Sequence, residues 1–129
     1  QKTDFSPQQF EGKGFTADIL QCSFTPTSTT ISCNMTFTGD GAKENAEQYC
    51  DLLLAVDAGK EVLYGGENDD LIEGSASQPV KNGDGSYSVK IKWVFRALEA
   101  VPDQIMVKAY RYKGADMVMF PQFDFVINK

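Results

Sequence analysis

The stretch Phe15–Thr38, FTADILQCSFTPTSTTISCNMTFT, decides the fold. In its second arm Ile31, Cys33, Met35 and Phe37 alternate with Thr30, Ser32, Asn34 and Thr36. Successive side chains of a strand point to opposite faces, so this pattern is a strand with one buried and one wet face. The first arm, Phe15 to Phe24, carries a shorter apolar alternation through Ala17 and Ile19. Between the arms lies Pro26-Thr27-Ser28-Thr29, where a proline and small hydroxyl residues supply turn chemistry. The stretch therefore reads as a hairpin with a cysteine on each arm. If those four residues form the loop, Thr25 pairs with Thr30 and Cys22 pairs with Cys33. The cysteines then occupy a non-hydrogen-bonded pair, where side chains come closest. This predicts a Cys22–Cys33 disulfide, worth roughly 2–3 kcal/mol if unstrained.

Outward from the hairpin, the chain continues in strand-length pieces. Gly39–Gln48 is polar and reads as a loop or a single helical turn. Tyr49–Val56, YCDLLLAV, reads as a strand, followed by the turn Asp57-Ala58-Gly59-Lys60 and a short partner strand, Glu61–Gly65. Leu71–Val80 holds one further strand. Asn82-Gly83-Asp84-Gly85 is a strong hairpin signal. After it Tyr87, Val89, Ile91, Trp93 and Phe95 share one face, opposite Ser86, Ser88, Lys90 and Lys92. Such strict alternation belongs to antiparallel sheets. Gln104–Tyr112 and Met117–Ile127 add two strands around Lys113-Gly114-Ala115-Asp116, and Pro121 predicts an edge, a bulge or a change of sheet in the last. Seven or eight strands with regularly spaced turns predict an all-β, antiparallel β-sandwich over residues 15–129. Residues 1–14, polar and punctuated by Pro7, Gly12 and Gly14, read as a flexible lead-in or a tether.

Composition narrows the chemistry. The chain of 129 residues is one domain by size and long enough to build a core without metals. A net charge of −6 with no local Lys/Arg cluster disfavours nucleic acid and anionic lipid as partners. No apolar run is long enough for a transmembrane helix. Gln1 at the start suits removal of a leader. Three cysteines are an odd count. An exported chain would bridge one pair and leave one thiol, whereas a cytosolic one would bury three reduced thiols. The hairpin pairing favours export.

The absence of histidine excludes a Ser–His–Asp triad, a Cys–His dyad and His-ligated zinc. There is no C-x-x-C, P-loop or G-x-G-x-x-G, and no cofactor is expected. Glu67, Asp69 and Asp70, with Asn68 and Glu73 nearby, could supply oxygen ligands to calcium, but a solvated acidic loop has the same composition. Asn82–Ser86 resembles the start of a calcium loop without its later ligands, and a hairpin turn uses the same residues. A carboxylate-pair hydrolase needs no histidine, and Asp18 and Asp124 are its candidates. Trp93 and Tyr87 share a face with Val89, Ile91 and Phe95, which makes them core residues before a sugar platform. Tyr110 and Tyr112, alternating with Lys108, are expected as exposed rings of a partner surface. Asn34-Met35-Thr36 is a glycosylation sequon placed on a strand.

The pattern of an aromatic residue, an apolar residue and Cys22, a short turn, and then an apolar residue before Cys33 recurs with Asp57-Ala58-Gly59, Ala100-Val101-Pro102 and Val118-Met119-Phe120 downstream. In this the chain resembles small exported bacterial domains of immunoglobulin-like sandwich fold. The resemblance implies an immunoglobulin-like fold and a secreted, periplasmic or cell-surface location, and it assigns no functional residues. The expected role is a non-enzymatic interaction module with a protein partner. The alternatives are an inhibitor that neutralises a basic target and, from another class, the carboxylate-dependent hydrolase.

Overall fold

The computed structural model describes all residues from Gln1 to Lys129. The strands are β1 (Thr3–Phe5), β2 (Gln8–Glu11), β3 (Phe15–Phe24), β4 (Thr29–Phe37), β5 (Leu53–Asp57), β6 (Val62–Tyr64), β7 (Leu71–Ala76), β8 (Val80–Lys81), β9 (Tyr87–Phe95), β10 (Gln104–Lys113), β11 (Asp116–Met119) and β12 (Phe125–Asn128). One helix, α1, spans Ala42–Tyr49. The larger sheet has the order β1-β3-β4-β9-β7, with β2 also on β3 and β8 also on β9. The smaller sheet has the order β11-β10-β5-β6, with β12 also on β10. All pairings are antiparallel. The molecule is thus an all-β sandwich, with more and shorter strands than the seven or eight expected.

The core lies between the sheets and follows the alternation of the sequence. Ile31, Cys33, Met35 and Phe37 of β4 face inward, as do Val89, Ile91, Trp93 and Phe95 of β9. Leu54, Val56, Ile105, Val107 and Ile127 meet them from the smaller sheet. One end is closed by aromatic rings. Phe37 lies 5.5 Å from Tyr49 and 5.9 Å from Phe123 between ring centroids, and Phe15 lies 6.1 Å from Phe37.

Three expectations are corrected. The first concerns the hairpin. Thr25, not Thr29, belongs to the turn: its N–H donates to the Ser28 carbonyl at 2.9 Å, and its hydroxyl accepts from the N–H groups of Thr27 and Ser28 at 3.2 and 3.0 Å. Phe24 therefore pairs with Thr29, and Cys22 faces Ile31. A register shift between Ile19 and Gln21 then places Ile19 opposite Cys33 and leaves Leu20 exposed. The extra residue of such a bulge lets Ile19 and Cys22 both point inward although they are three apart. Cys22 and Cys33 are buried but not opposite one another, and all three cysteines are free thiols. The predicted disulfide is not formed.

Burial pushes the Cys22 thiol up to about 12, helped by the Asp4 charge, and pushes Cys33 up as well. Cys50 is only partly covered, and its thiol donates to the Glu47 carbonyl at 3.2 Å. Thiolate is the reactive form, so native alkylation is expected to label Cys50 alone. Cys22 and Cys33 should react only as the chain unfolds. Mass mapping without reductant should find no Cys22–Cys33 link; native labelling of either residue at the Cys50 rate would refute the arrangement.

The second correction is α1, where a loop or single turn was expected. Gly39 and Gly41 enter it with φ of 75° and 79°, and Ala42, Ala46 and Tyr49 form its buried stripe. Tyr49 thus ends a helix, and the strand begins only at Leu53. The third is the lead-in. Residues 3–5 and 8–11 pair with β3, Phe5 is buried 4.9 Å from the Phe24 ring, and Phe10 packs against the core. Gln8 also joins the ends of the chain: its amide donates to the Asn128 carbonyl at 2.7 Å and accepts from the Asn128 N–H at 2.9 Å.

Candidate functional site

Directly opposed residues of antiparallel strands share a face, so the registers define the outer surface of the smaller sheet row by row. One row runs Met119, Tyr110, Leu53. The next runs Lys108, Ala55, Tyr64, and a third runs Val126, Met106, Asp57, Val62. Met117 and Tyr112 close one end, and Gln104 with Asn128 closes the other. A solvent face of a sheet should be polar. Here the exposed or half-exposed members include Met106, Met117, Met119, Val62, Val126 and Tyr112. On the outer face of the larger sheet one row follows the rule, Gln9, Asp18, Asn34 and Lys90, and the exposed apolar residues of that sheet are Leu20, Ile72 and Val80.

The expected partner surface lies on this apolar face, but its three residues differ. Tyr110 is fully buried, contrary to expectation. Tyr64 and Tyr112 flank it edge-on at 6.0 and 5.6 Å. Gly66 roofs it, donating its N–H to the Tyr110 hydroxyl at 2.8 Å. A side chain on Gly66 would stand 2.9 Å from the Tyr112 ring, so only glycine allows this approach. Tyr112 is exposed, and its hydroxyl donates to Glu67 at 3.3 Å. Lys108 is half-buried and pairs with Asp57 at 3.2 Å, which places one neutralised charge pair amid apolar neighbours.

The Gly59 N–H at 2.9 Å, followed by Lys108, holds the Asp57 carboxyl below its ordinary range. A depressed folded-state pKa contributes stability above the unfolded value of about 3.9 and loses it as pH falls through the folded value. Asp57→Asn should therefore flatten the acid limb of a Tm-against-pH curve below about pH 4. An acid limb as steep as that of the parent would refute this role for Asp57.

The acidic loop is committed to structure. Asp70 accepts from the Tyr64 N–H at 2.9 Å through one oxygen and from Arg96 at 2.9 Å through the other. Arg96 also reaches Glu61 at 3.1 Å, so one guanidinium fastens the loop ahead of β7 to β9 and to the start of β6. Glu67 meets Tyr112, and no group of three carboxylates or thiols suited to a metal ion exists in the chain. The calcium reading of Glu67, Asp69 and Asp70, set beside that of a solvated acidic loop, finds no geometry. The hydrolase candidates are not brought together: Asp18 lies on the outer face of the larger sheet, bonded to Gln9 at 2.8 Å, and Asp124 precedes β12 of the smaller sheet. Burial raises the Asp124 carboxyl, and the Lys108 charge offsets part of that rise. Trp93 lies in the core, stacked 6.0 Å from Phe95, and Tyr87 is a partly buried residue packed against that core.

The residues missed at the sequence level are Met106, Met117, Met119 and Val126. Their signal was present as apolar positions on the parity opposite to the core, even-numbered in β10 and β12 and odd-numbered in β11.

No family model and no curated protein matches the chain. A conserved domain protein from Bacillus anthracis, known from its crystal structure, is similar over 99% of this chain at 17% identity with a TM-score of 0.52. The chain spans about half of that protein, 49% of its length. The likeness is one of fold.

Proposed function

We propose that this protein is an exported, non-enzymatic interaction module of immunoglobulin-like fold that docks a protein partner on the outer face of its smaller sheet. The single observation that carries the reading is the apolar character of that face. Exposed apolar side chains scattered singly are ordinary, whereas a contiguous patch marks an interaction surface. Methionine, abundant there, is adaptable and favoured at binding surfaces.

Support for the immunoglobulin-like assignment comes from the order of strands. A four-stranded and a three-stranded sheet, A-B-E-D against C-F-G, define that fold. Here β1, β3, β9 and β7 follow the first order and β5, β10 and β11 the second. The departure is β4, an additional strand lying between β3 and β9. Export rests on the resemblance to exported bacterial domains, since the disulfide that first favoured it is absent.

Methionine oxidation tests the reading. Brief peroxide treatment of the isolated chain should oxidise Met106, Met117 and Met119 and spare the buried Met35. In the native source, the same three residues should be protected. Equal oxidation in both settings would defeat the proposal, and recovery of the protein with cytosolic markers on fractionation would defeat export.

A further inference from the structure

We infer that Asn82 is a site of chemical modification, where the side-chain amide is lost to the backbone nitrogen of Gly83 through a five-membered imide, and that the Ser86 and Ser88 hydroxyls govern its rate. The inference is independent of the docking surface. Two observations single out the site, and a third sets its timing.

The first is the open approach to Gly83. Ring closure needs a backbone nitrogen that is unshielded and free to turn onto the Cγ of the preceding asparagine. The Gly83 N–H donates to no group, the residue is exposed in the turn between β8 and β9, and a Cβ there would find nothing within 4 Å. Glycine adds the conformational freedom that the closing ring requires. The second is the contrast with the other asparagines. Asn34 and Asn45 lie inside β4 and α1, where the N–H groups that follow them belong to the strand ladder and the helix. The N–H after Asn128 donates to the Asp103 carbonyl at 2.9 Å. Asn68 is followed by Asp69, whose Cβ and carboxylate crowd the nitrogen. Only Asn82 precedes a glycine.

The third is a clamp on the amide. Asn82 Nδ2 donates to Ser86 Oγ at 2.9 Å and to Ser88 Oγ at 2.8 Å, and Ser86 Oγ donates in turn to Asp84 at 2.6 Å. These bonds hold the leaving nitrogen against β9, and both must be given up before it departs. In the reaction the Gly83 nitrogen bonds to Asn82 Cγ and gives up its proton. The Cγ–Nδ2 bond breaks, and Nδ2 leaves as ammonia. Water then opens the ring. Opening at Cγ leaves aspartate; opening at the former main-chain carbonyl leaves isoaspartate. Aspartate places a second carboxylate beside Asp84 and removes both donors to the serines. Isoaspartate also lengthens the backbone by one atom and turns the Asn82 carbonyl, which accepts the Gly85 N–H at 3.1 Å, into a carboxylate. Strand β8 pairs with β9 through Val80 and Lys81 alone, so an altered turn leaves little to hold it.

Peptide mapping by mass spectrometry, during incubation at neutral pH and body temperature, tests this. The peptide holding Asn82 should pass through a species about 17 Da lighter and end about 1 Da heavier, while those holding Asn34, Asn45, Asn68 and Asn128 keep their mass. A protease that cuts before aspartate and not before isoaspartate separates the two products. Gly83→Ala should react several-fold more slowly than the parent. Ser88→Ala, with its fold checked by thermal melting, should react several-fold faster, and so should the parent chain unfolded in urea. Amide loss at another asparagine ahead of Asn82 overturns the inference, as does none from the folded parent while the unfolded chain reacts to completion. A folded parent as fast as both Ser88→Ala and the unfolded chain overturns the role of the hydroxyls.

Discussion

Replacing Phe37 with alanine is expected to cost about 3–5 kcal/mol, the range for removing a large aromatic ring from a packed core. Phe37 is fully buried at the end of β4, where rings from three other parts of the chain converge. Phe15 comes from β3, Tyr49 from the end of α1, and Phe123 from the short 3-10 turn between β11 and β12. Tyr49 and Phe123 also touch each other at 5.3 Å. Removing the central ring leaves these three without their common neighbour, and none can fill the space without leaving its own rotamer. At this chain length the loss corresponds to a fall in Tm of about 10–20 °C. Phe37→Leu, which keeps most of the volume, should recover more than half of it. A Phe37→Ala variant within about 1 kcal/mol of the parent by urea denaturation would show that the cluster does not close the core.

The second large effect is expected from a single methyl group. Gly65→Ala should cost about 3 kcal/mol by overpacking, although the substitution normally favours order by restricting the unfolded chain. A Cβ on Gly65 would lie 2.4 Å from the Trp93 ring and 2.7 Å from the Leu54 carbonyl oxygen. The ring is stacked in the core, and the carbonyl already accepts the Gly65 N–H at 2.8 Å. Neither neighbour can withdraw without losing its own partner. Gly83→Ala is the control, because nothing lies within 4 Å of that position. Thermal melts should place Gly83→Ala within about 1 °C of the parent and Gly65→Ala about 10 °C below it. Equal melting of the two variants would mean that the approach of the chain to Trp93 is not tight.

The strands that alternate strictly were legible from the sequence because burial alone dictates them. Residues 87–95 and the arm from Ile31 to Phe37 carry one wet and one dry face, and both faces lie where the pattern places them. Register was not legible. It turned on whether Thr25 or Thr29 belongs to the loop, and the choice is made by the Thr25 hydroxyl bonding to two backbone N–H groups. The change of parity between Ile19 and Cys22 was the visible trace of the bulge, since no unbroken strand turns both residues inward. Helix α1 was obscured because its buried stripe is mostly alanine, too small to stand out in a polar run. The N-terminal strands were obscured because only Phe5 and Phe10 mark them as core-seeking. The candidate face escaped for a different reason. Tyr110 and Tyr112 looked equivalent by alternation, yet a loop forty-four residues earlier in the chain covers one and leaves the other open. No local pattern records a contact that distant.

The paired hydrogen bonds between Gln8 and Asn128 bring the second and last strands side by side across the two sheets. The order in which the strands are threaded is therefore separable from the way they pack. A circular permutant that joins Lys129 to Gln1 through a glycine linker long enough to run back along β1, and opens at Gly83, in the solvent-facing turn after β8, would keep every sheet pairing. Its new ends would lie beside the larger sheet, leaving the apolar face of the smaller sheet free of fused sequence.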